Sequence, residues 1–157
     1  MNNENVVSGE FNSPDYEQFD KNIGEAVSKF KTLNKEERVR VISHLDADGI
    51  CACAILLKAL NHDNRNYSIS IVQQLNEKIL QSLAKEDYKY YFFTDLGSGQ
   101  IDLINKYLKE KTIFILDHHT PSDTKPGEHI VQVNPHLAGI DGGTEISGSG
   151  VVYLFTN

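Results

Sequence analysis

Apolar and polar positions along this chain follow two periods in turn, one typical of strands and one typical of helices. Five short apolar runs fit buried strands, at residues 39–43, 67–73, 90–94, 112–116 and 130–133. Between them, apolar residues recur at helical spacing, which predicts helices at about 15–30, 49–60, 76–83 and 98–108. Strands that alternate with helices indicate βαβ units. The expected fold is therefore α/β, with a mostly parallel five-stranded sheet flanked by helices and preceded by an N-terminal helix.

Three finer expectations concern individual side chains. Ser13 and Pro14 are predicted to cap and open the first helix. Leu75, Ile79 and Leu83 are predicted to face inward at the helix of residues 76–83. Cys51 and Cys53 point in nearly opposite directions on a helix, so they cannot hold one metal ion together. Both are predicted to be small core residues.

The two ends of the chain differ from its middle. Residues 1–14 are polar and are predicted to form a disordered tail, whereas 15–157 are predicted to form one domain. Gly148 opens an apolar run that reads as the first turns of a buried helix, and no stop signal follows before Asn157. We expect a domain that is incomplete at its C-terminus, with the second domain absent from this chain.

Composition narrows the class of protein. Charged residues make up 24% of the chain and apolar residues 39%, which indicates a globular protein. The net charge of −7 argues against a broad basic surface that grips nucleic acid along its length. Nucleic acid is still a possible partner, because metal ions in a crevice reverse the local field. The sequence shows no signal peptide and no apolar run long enough for a membrane span, so a cytoplasmic protein without a membrane partner is expected.

The most informative residues are acidic clusters that directly follow three of the predicted strands. They are His44-x-Asp46-x-Asp48-Gly49 after the first strand, Asp95 after the third and Asp117-His118-His119 after the fourth. In a parallel sheet the carboxyl ends of the strands lie along one rim, and ligands bind there. Carboxylates crowded at one rim repel each other unless divalent cations compensate them. The pattern indicates a two-metal site for phosphoester hydrolysis.

Each cluster also has a plainer interpretation when it is taken alone. The first cluster and Asp95 both precede predicted helices, so these carboxylates are suited to be helix N-caps. Gly148 to Gly150 at a helix N-terminus suits a phosphate, but it also suits ordinary capping. Adjacent histidines point to different sides, so one can bind metal while the other faces substrate. An aspartate such as Asp117 can fix the tautomer of an imidazole from behind.

In this order, and with strand–helix units between them, the three clusters resemble motifs I to III of the DHH phosphoesterase superfamily. The loop from Asn134 through Gly148-Ser149-Gly150-Val151 resembles the stretch that follows in the RecJ-like branch, and the whole resemblance covers about residues 37–155. The resemblance implies an N-terminal DHH domain with two Mn²⁺ or Mg²⁺ ions, followed in the family by a second domain that grips substrate.

The resemblance also implies a role for each matched residue. The implied metal ligands are His44, Asp46, Asp48, Asp95 and His118. Asp95 and His119 are the implied catalytic residues, with Asp95 able to bridge two ions. His119, Gly148 and Gly150 are expected to contact phosphate, and Asp117 is expected to orient a ligand from behind. The family has a further aspartate beyond the matched region, and Asp141 lies too early in the pattern to replace it, so weak metal binding and doubtful turnover are expected of this chain alone.

The function implied by the resemblance is that of a metal-dependent phosphodiesterase, a RecJ-like exonuclease that hydrolyses single-stranded nucleic acid with a metal-activated water. The implied partners are single-stranded DNA or RNA, together with replication or repair proteins. Two other functions stay open. One is a phosphoesterase of small molecules or oligonucleotides, such as cyclic dinucleotides or pyrophosphate. The other is a Cdc45-like replication scaffold that keeps the fold and has lost catalysis.

Overall fold

The computed structural model describes residues 13–157. The predicted tail lies outside the described residues except for Ser13 and Pro14, which precede the first helix. The helices are α1 (Tyr16–Lys31), α2 (Ala47–His62), α3 (Glu77–Ala84), α4 (Ile101–Tyr107) and α5 (Gly148–Thr156). The strands are β1 (Val39–His44), β2 (Tyr67–Val72), β3 (Tyr90–Thr94), β4 (Thr112–Leu116) and β5 (Ile130–Val133). Short 3-10 turns precede α4 and follow β5.

The five strands form one sheet in the order β2-β1-β3-β4-β5, and every pair of neighbours is parallel. Central strands β3 and β4 are apolar at nearly every position and are covered on both faces, as parallel sheets require. The predicted α/β class and five-stranded sheet are confirmed. Within residues 13–157, no helix is both long enough and apolar enough to cross a membrane.

The sheet separates two hydrophobic cores. On one face α1, α2 and α5 pack against residues that include Phe92 and Phe114, whose rings stack with centroids 4.6 Å apart. Phe155 of α5 packs on both rings, with its centroid 5.8 Å from that of Phe92. On the other face, α3 and α4 cover residues such as Phe93 and Ile115. Phe155 thus anchors α5 to the sheet, and this fixes where the N-terminus of that helix lies.

Three of the finer sequence predictions fail, one of them only in part. Asp15, rather than Ser13, caps α1 by accepting a hydrogen bond from the Gln18 amide, so Pro14 lies before the helix. At α3, Leu75 and Leu83 are buried as predicted, but Ile79 is only partly buried against the same core. Leu80, which was not predicted, is the fully buried residue of this helix.

The third wrong prediction concerns the cysteines of α2. Cys53 is buried, as predicted, but Cys51 is exposed. The reason is the helical geometry itself, because residues two apart on a helix cannot both face one core. The separation that prevents them from sharing a metal ion also prevents them from sharing the core.

The strand order determines where a ligand can bind. From β1 the chain crosses to β2 on one side, and from β2 it returns to β3 on the other side of β1. Such a switch in direction opens a crevice at the carboxyl ends of the two strands. β1 and β3 flank this crevice, and β4 lies next to β3. These are the three strands that the acidic clusters follow.

Candidate metal centre

The ends of β1, β3 and β4 bring the three acidic clusters together. Because β3 lies between β1 and β4, Asp95 stands between the other two clusters. Asp95 Oδ2 is 3.5 Å from His44 Nδ1, and Asp95 Oδ1 is 3.3 Å from His118 Nε2. Asp46 Oδ2 lies 3.1 Å from His44 Nδ1. The central position of β3 is therefore what makes Asp95 the shared residue of the site.

Asp95 is held in an uncommon environment. Its side chain is 1% exposed, and neither carboxylate oxygen has a hydrogen-bond partner among the described residues. Its backbone is left-handed, with φ of 59°, a conformation that aspartate tolerates better than most residues. Burial, followed by the charges of Asp48, Asp117 and Asp46, raises the pKa of Asp95 to about 7. Burial of a carboxylate without partners lowers the stability of the fold, so a compensating cation fits this position.

Two groups of potential metal ligands converge on Asp95. One consists of His44, Asp46 and Asp95, and the other of Asp95, His118 and His119. In each group the donor atoms lie within 4.8 Å of one another. Mixed oxygen and imidazole donors suit Mn²⁺, Mg²⁺ and related divalent ions. His44 Nδ1, like the oxygens of Asp95, is buried without a hydrogen-bond partner among residues 13–157, so the donor set fits a pair of divalent cations.

The two histidines after β4 are oriented differently. His118 Nδ1 donates a hydrogen bond to the Gly142 carbonyl at 2.6 Å, which leaves the Nε2 lone pair directed at Asp95 and Asp48. His119 Nδ1 donates to Asp117 Oδ1 at 2.8 Å, and the ring is 53% exposed. His118 is therefore presented as a ligand, whereas His119 is presented to a molecule entering from solvent.

Asp117 holds the loop after β4 in place. Its buried carboxylate accepts hydrogen bonds from the amides of Ser98, His118 and His119. Burial would raise the pKa of Asp117, but the hydrogen bond from His119 and that from the Ser98 amide outweigh it and keep the pKa low. In turn the Asp117 hydrogen bond raises the pKa of His119 to about 9. Without bound metal, the ring of His119 is therefore mostly protonated at neutral pH.

Asp48 connects the first cluster to the last helix. Its two oxygens accept hydrogen bonds from the amides of Gly148 and Ser149, at 2.7 and 2.8 Å. Burial would raise the pKa of Asp48, but these bonds and one from the Ser149 hydroxyl hold it below its usual range. Asp48 Oδ2 also lies 3.6 Å from His118 Nε2. Each oxygen has a second lone pair, so Asp48 can contact a cation while it holds α5.

The two glycine amides at the start of α5 that were expected to contact phosphate form hydrogen bonds within the protein instead. The Gly148 amide donates to Asp48, and the Gly150 amide donates to the hydroxyl of Ser147, which caps the helix. Both glycines are near the site, but both amides already have partners in this arrangement. A Cβ atom at Gly148 would also overlap with Asp95, lying 2.8 Å from its carboxyl carbon. Glycine is thus required by the close approach of α5 to Asp95.

A cleft of about 600 Å³ opens beside these residues. His44, Asp95 and His119 form one wall, together with Asp117. The rest is formed by the loops that follow β2, β3 and β4, which include Gln73, Gln74, Gln100 and Thr120. This volume is within the range of small-molecule sites.

Sequence reasoning missed two groups that shape the site. Asn134 is buried, and its side-chain amide donates to the Ser98 hydroxyl and the His119 carbonyl, both at 2.8 Å. The Gly142 carbonyl orients His118 from a loop 24 residues further along the chain. For Asn134, an asparagine directly before Pro135 at the end of a predicted strand was a usable sequence signal. No local pattern indicates which carbonyl a histidine ring will contact.

Comparison with known proteins gives this geometry a context. A family model described as the DHH family, N-terminal domain, matches residues 38–157, which is more than half of the chain. The uncharacterized protein MJ0831 of Methanocaldococcus jannaschii is 41% identical over 131 residues, which cover 80% of this chain and 30% of that protein. This chain therefore spans less than a third of that curated relative.

Solved structures show the same fold. RecJ from Thermus thermophilus in complex with Mn²⁺ is 25% identical, with a TM-score of 0.70 over 87% of this chain and 20% of that one. A structure of exonuclease RecJ bound to manganese is 19% identical, with a TM-score of 0.67 over 93% of this chain and 37% of that one. The family resemblance carried by the sequence motifs is confirmed. The chain belongs to the DHH family, and its residues 38–157 are a RecJ-like N-terminal domain.

Proposed function

We propose that this protein is a metal-dependent phosphodiesterase that degrades single-stranded nucleic acid as an exonuclease. The observation that carries the proposal is the shared position of Asp95, whose two oxygens lie 3.5 Å from His44 Nδ1 and 3.3 Å from His118 Nε2. A shared carboxylate is the arrangement expected where two divalent ions act on one phosphate. When bound, such ions supply a water of lowered pKa and neutralise the charge that develops on the phosphate oxygens.

The residues of the chain itself then bind the metal ions, orient His119 and contact the phosphate. His44, Asp46, Asp48, Asp95 and His118 provide the negative and imidazole donors that hold Mn²⁺ or Mg²⁺. Asp117 keeps His119 positively charged and points its ring toward the cleft. His119 is therefore placed to bind a non-bridging phosphate oxygen or to donate a proton to the leaving oxygen. The small cleft keeps the reacting phosphate beside both groups.

A phosphoesterase of small molecules or short oligonucleotides is the second candidate. The cleft favours it, because a volume of about 600 Å³ accommodates roughly one nucleotide rather than a long strand. The MJ0831 relative is itself uncharacterized, so it does not separate the two candidates. Polymer substrates and dinucleotides therefore belong in the same experiment.

The test is digestion of end-labelled single-stranded DNA, single-stranded RNA, duplex DNA and dinucleotides, each with Mn²⁺, with Mg²⁺ and with EDTA. We expect metal-dependent release of mononucleotides from single strands by a version extended to the length of its relatives, and little or none by residues 1–157 alone. Asp95→Asn should be inactive, while Asp20→Asn, an equivalent change at an exposed position of α1, should behave as wild type. Cleavage of dinucleotides alone would favour the second candidate, and hydrolysis that survives EDTA would contradict both.

The histidine pair offers a sharper prediction. His118→Ala should lower Mn²⁺ affinity by about tenfold or more, because it removes the Nε2 donor directed at Asp95. His119→Ala should keep most of the metal and lose about a hundredfold in rate. Metal content by mass spectrometry and single-turnover rates measure the two effects separately. If His119→Ala loses metal as completely as His118→Ala, both rings are ligands and His119 is not the substrate contact.

A further inference from the structure

The cleft beside the metal centre has a chemical character that is different from that of the centre itself. Among the described residues that line it, none is a lysine or an arginine. Its polar side chains away from the ligands are instead mainly amides. We call Gln73, Gln74 and Gln100 the amide rim.

The amide rim is built on anchored backbone. Gln73 and Gln74 follow the edge strand β2 and are exposed, while the next residue, Leu75, is buried in the core under α3. Asn76 then caps α3 by accepting a hydrogen bond from the Ile79 amide. Both ends of this short loop are therefore held, and its two amide side chains stay beside the cleft.

Gln100, on the opposite side of the cleft, also lies on anchored backbone. Gln100 closes the 3-10 turn that begins at Ser98, whose amide is held by Asp117. Leu75 and Leu96 line the cleft between the two sides and are almost fully buried, so the cleft has an apolar floor. An apolar floor with a few amides around it is the usual lining of a site for a flat, uncharged group.

Apart from His119 at the metal centre, no cationic side chain is found among the described residues that line the cleft, and this decides between two substrate classes. A second or third phosphate in the cleft would present only charged acceptors, and these select arginine or lysine. A nucleoside presents both donors and acceptors on its base edge and its sugar. Glutamine amides match that pattern, because each carries donors and an acceptor.

On the basis of the function proposed above, we propose that the cleft binds the nucleoside attached to the scissile phosphate, and that the amide rim determines this specificity. The metal centre holds the phosphate, and Gln73, Gln74 and Gln100 hydrogen-bond the nucleoside over the floor of Leu75 and Leu96. Substrates that extend a phosphate chain into the cleft, such as pyrophosphate or polyphosphate, are disfavoured there. The domain therefore selects nucleotides before any second domain takes part.

The experiment is calorimetric titration of the Mn²⁺-loaded protein with thymidine 5′-monophosphate, inorganic phosphate and tripolyphosphate. We expect the nucleotide to bind about tenfold more tightly than phosphate, as one or two net hydrogen bonds with some apolar burial imply. Gln73→Ala combined with Gln100→Ala should reduce that ratio to about two or less. Gln18→Ala, which removes an exposed glutamine from α1, should leave the ratio unchanged.

A steric variant tests the position of the nucleoside independently. A Cβ atom at Gly99 would meet nothing closer than the Thr120 carbonyl, at 4.0 Å, and Gly99 lines the cleft, so Gly99→Leu is expected to narrow the cleft. It should weaken the nucleotide and leave phosphate and Mn²⁺ binding unchanged. Tighter binding of tripolyphosphate than of the nucleotide, or a ratio that survives the double substitution, would overturn this inference alone. Failure of the Mn²⁺-loaded protein to bind phosphate at all would overturn the proposed phosphodiesterase function, and this inference with it.

Discussion

Replacing Asp95 with asparagine should abolish stabilisation by Mn²⁺ and, at the same time, make the metal-free protein more stable at neutral pH. The wild-type carboxylate is buried, has no hydrogen-bond partner among the described residues and lies near three other carboxylates. Bound Mn²⁺ at a hundredfold excess over its Kd should add about 2.7 kcal/mol to the free energy of unfolding of the wild type. Asparagine tolerates the left-handed backbone equally well, so the fold should be kept.

The raised pKa of Asp95 determines how the stability of the metal-free protein changes with pH. The pKa of Asp95 is raised to about 7 in the folded protein from a usual 3.8, so the folded state holds that proton more tightly than the unfolded chain. The metal-free wild type should therefore be most stable with respect to this group below about pH 4 and should lose roughly 2–4 kcal/mol as the pH rises through 7. In Asp95→Asn that loss should disappear.

Urea unfolding between pH 5 and 8, with EDTA and with Mn²⁺, measures both effects. A smaller decline should remain in both proteins, because the raised pKa of His119, about 9, gives stability that is lost between about pH 6.5 and 9. Asp20→Asn again serves as the matched control and should follow the wild type. An Mn²⁺ stabilisation of equal size in Asp95→Asn and wild type would refute the central position of Asp95.

Gly148→Ala should be among the most damaging single-methyl changes in this domain. Its Cβ would overlap with Asp95 Oδ1 and lie 2.8 Å from Cγ, and Asp95 is buried and cannot move aside. The helix must shift instead and lose the hydrogen bonds from Gly148 and Ser149 to Asp48. We expect a loss of about 2–4 kcal/mol in the free energy of unfolding and weaker Mn²⁺ binding.

The chain offers a matched control for this change in Gly24. It lies within α1, and a Cβ there would meet nothing within 4 Å. Gly24→Ala should therefore stabilise the protein by about 0.5–1 kcal/mol, because alanine is the better helix former. Urea unfolding of the two variants gives the comparison. Equal stability of Gly148→Ala and wild type, with unchanged Mn²⁺ affinity, would show that α5 does not approach Asp95 as closely as described.

Sequence periodicity was sufficient to predict the elements and their class. β3 and β4 are continuous apolar runs between polar turns, so their strand character and burial follow from local composition. The convergence of the acidic clusters could also be predicted from the sequence, because parallel strands end at one rim whatever the order of the strands. Cys51 was predicted wrongly, because residues two apart on a helix such as α2 cannot both face one core.

The internal arrangement of the site could not be predicted in the same way. That Asp95 is central depends on β3 lying between β1 and β4, and strand order is a property of the whole sheet. That Asp48 accepts hydrogen bonds from the first amides of α5 depends on Phe155 docking against Phe92. The cleft is formed by three loops that are distant in sequence. Each of these features is set by tertiary packing, which no window of neighbouring residues contains.

The hydrogen bonds from α5 to Asp48 also have a consequence for the order of events during synthesis. Asp48 is separated from its two amide partners by 100 and 101 residues, so the carboxylate is unsupported until α5 has been translated. Contacts of such long range form late, because a large loop must close first. A nascent chain therefore carries the acidic motifs for some seconds before it carries a finished centre. We therefore expect a nascent chain that lacks α5 to bind Mn²⁺ more weakly than the domain in which that helix has docked.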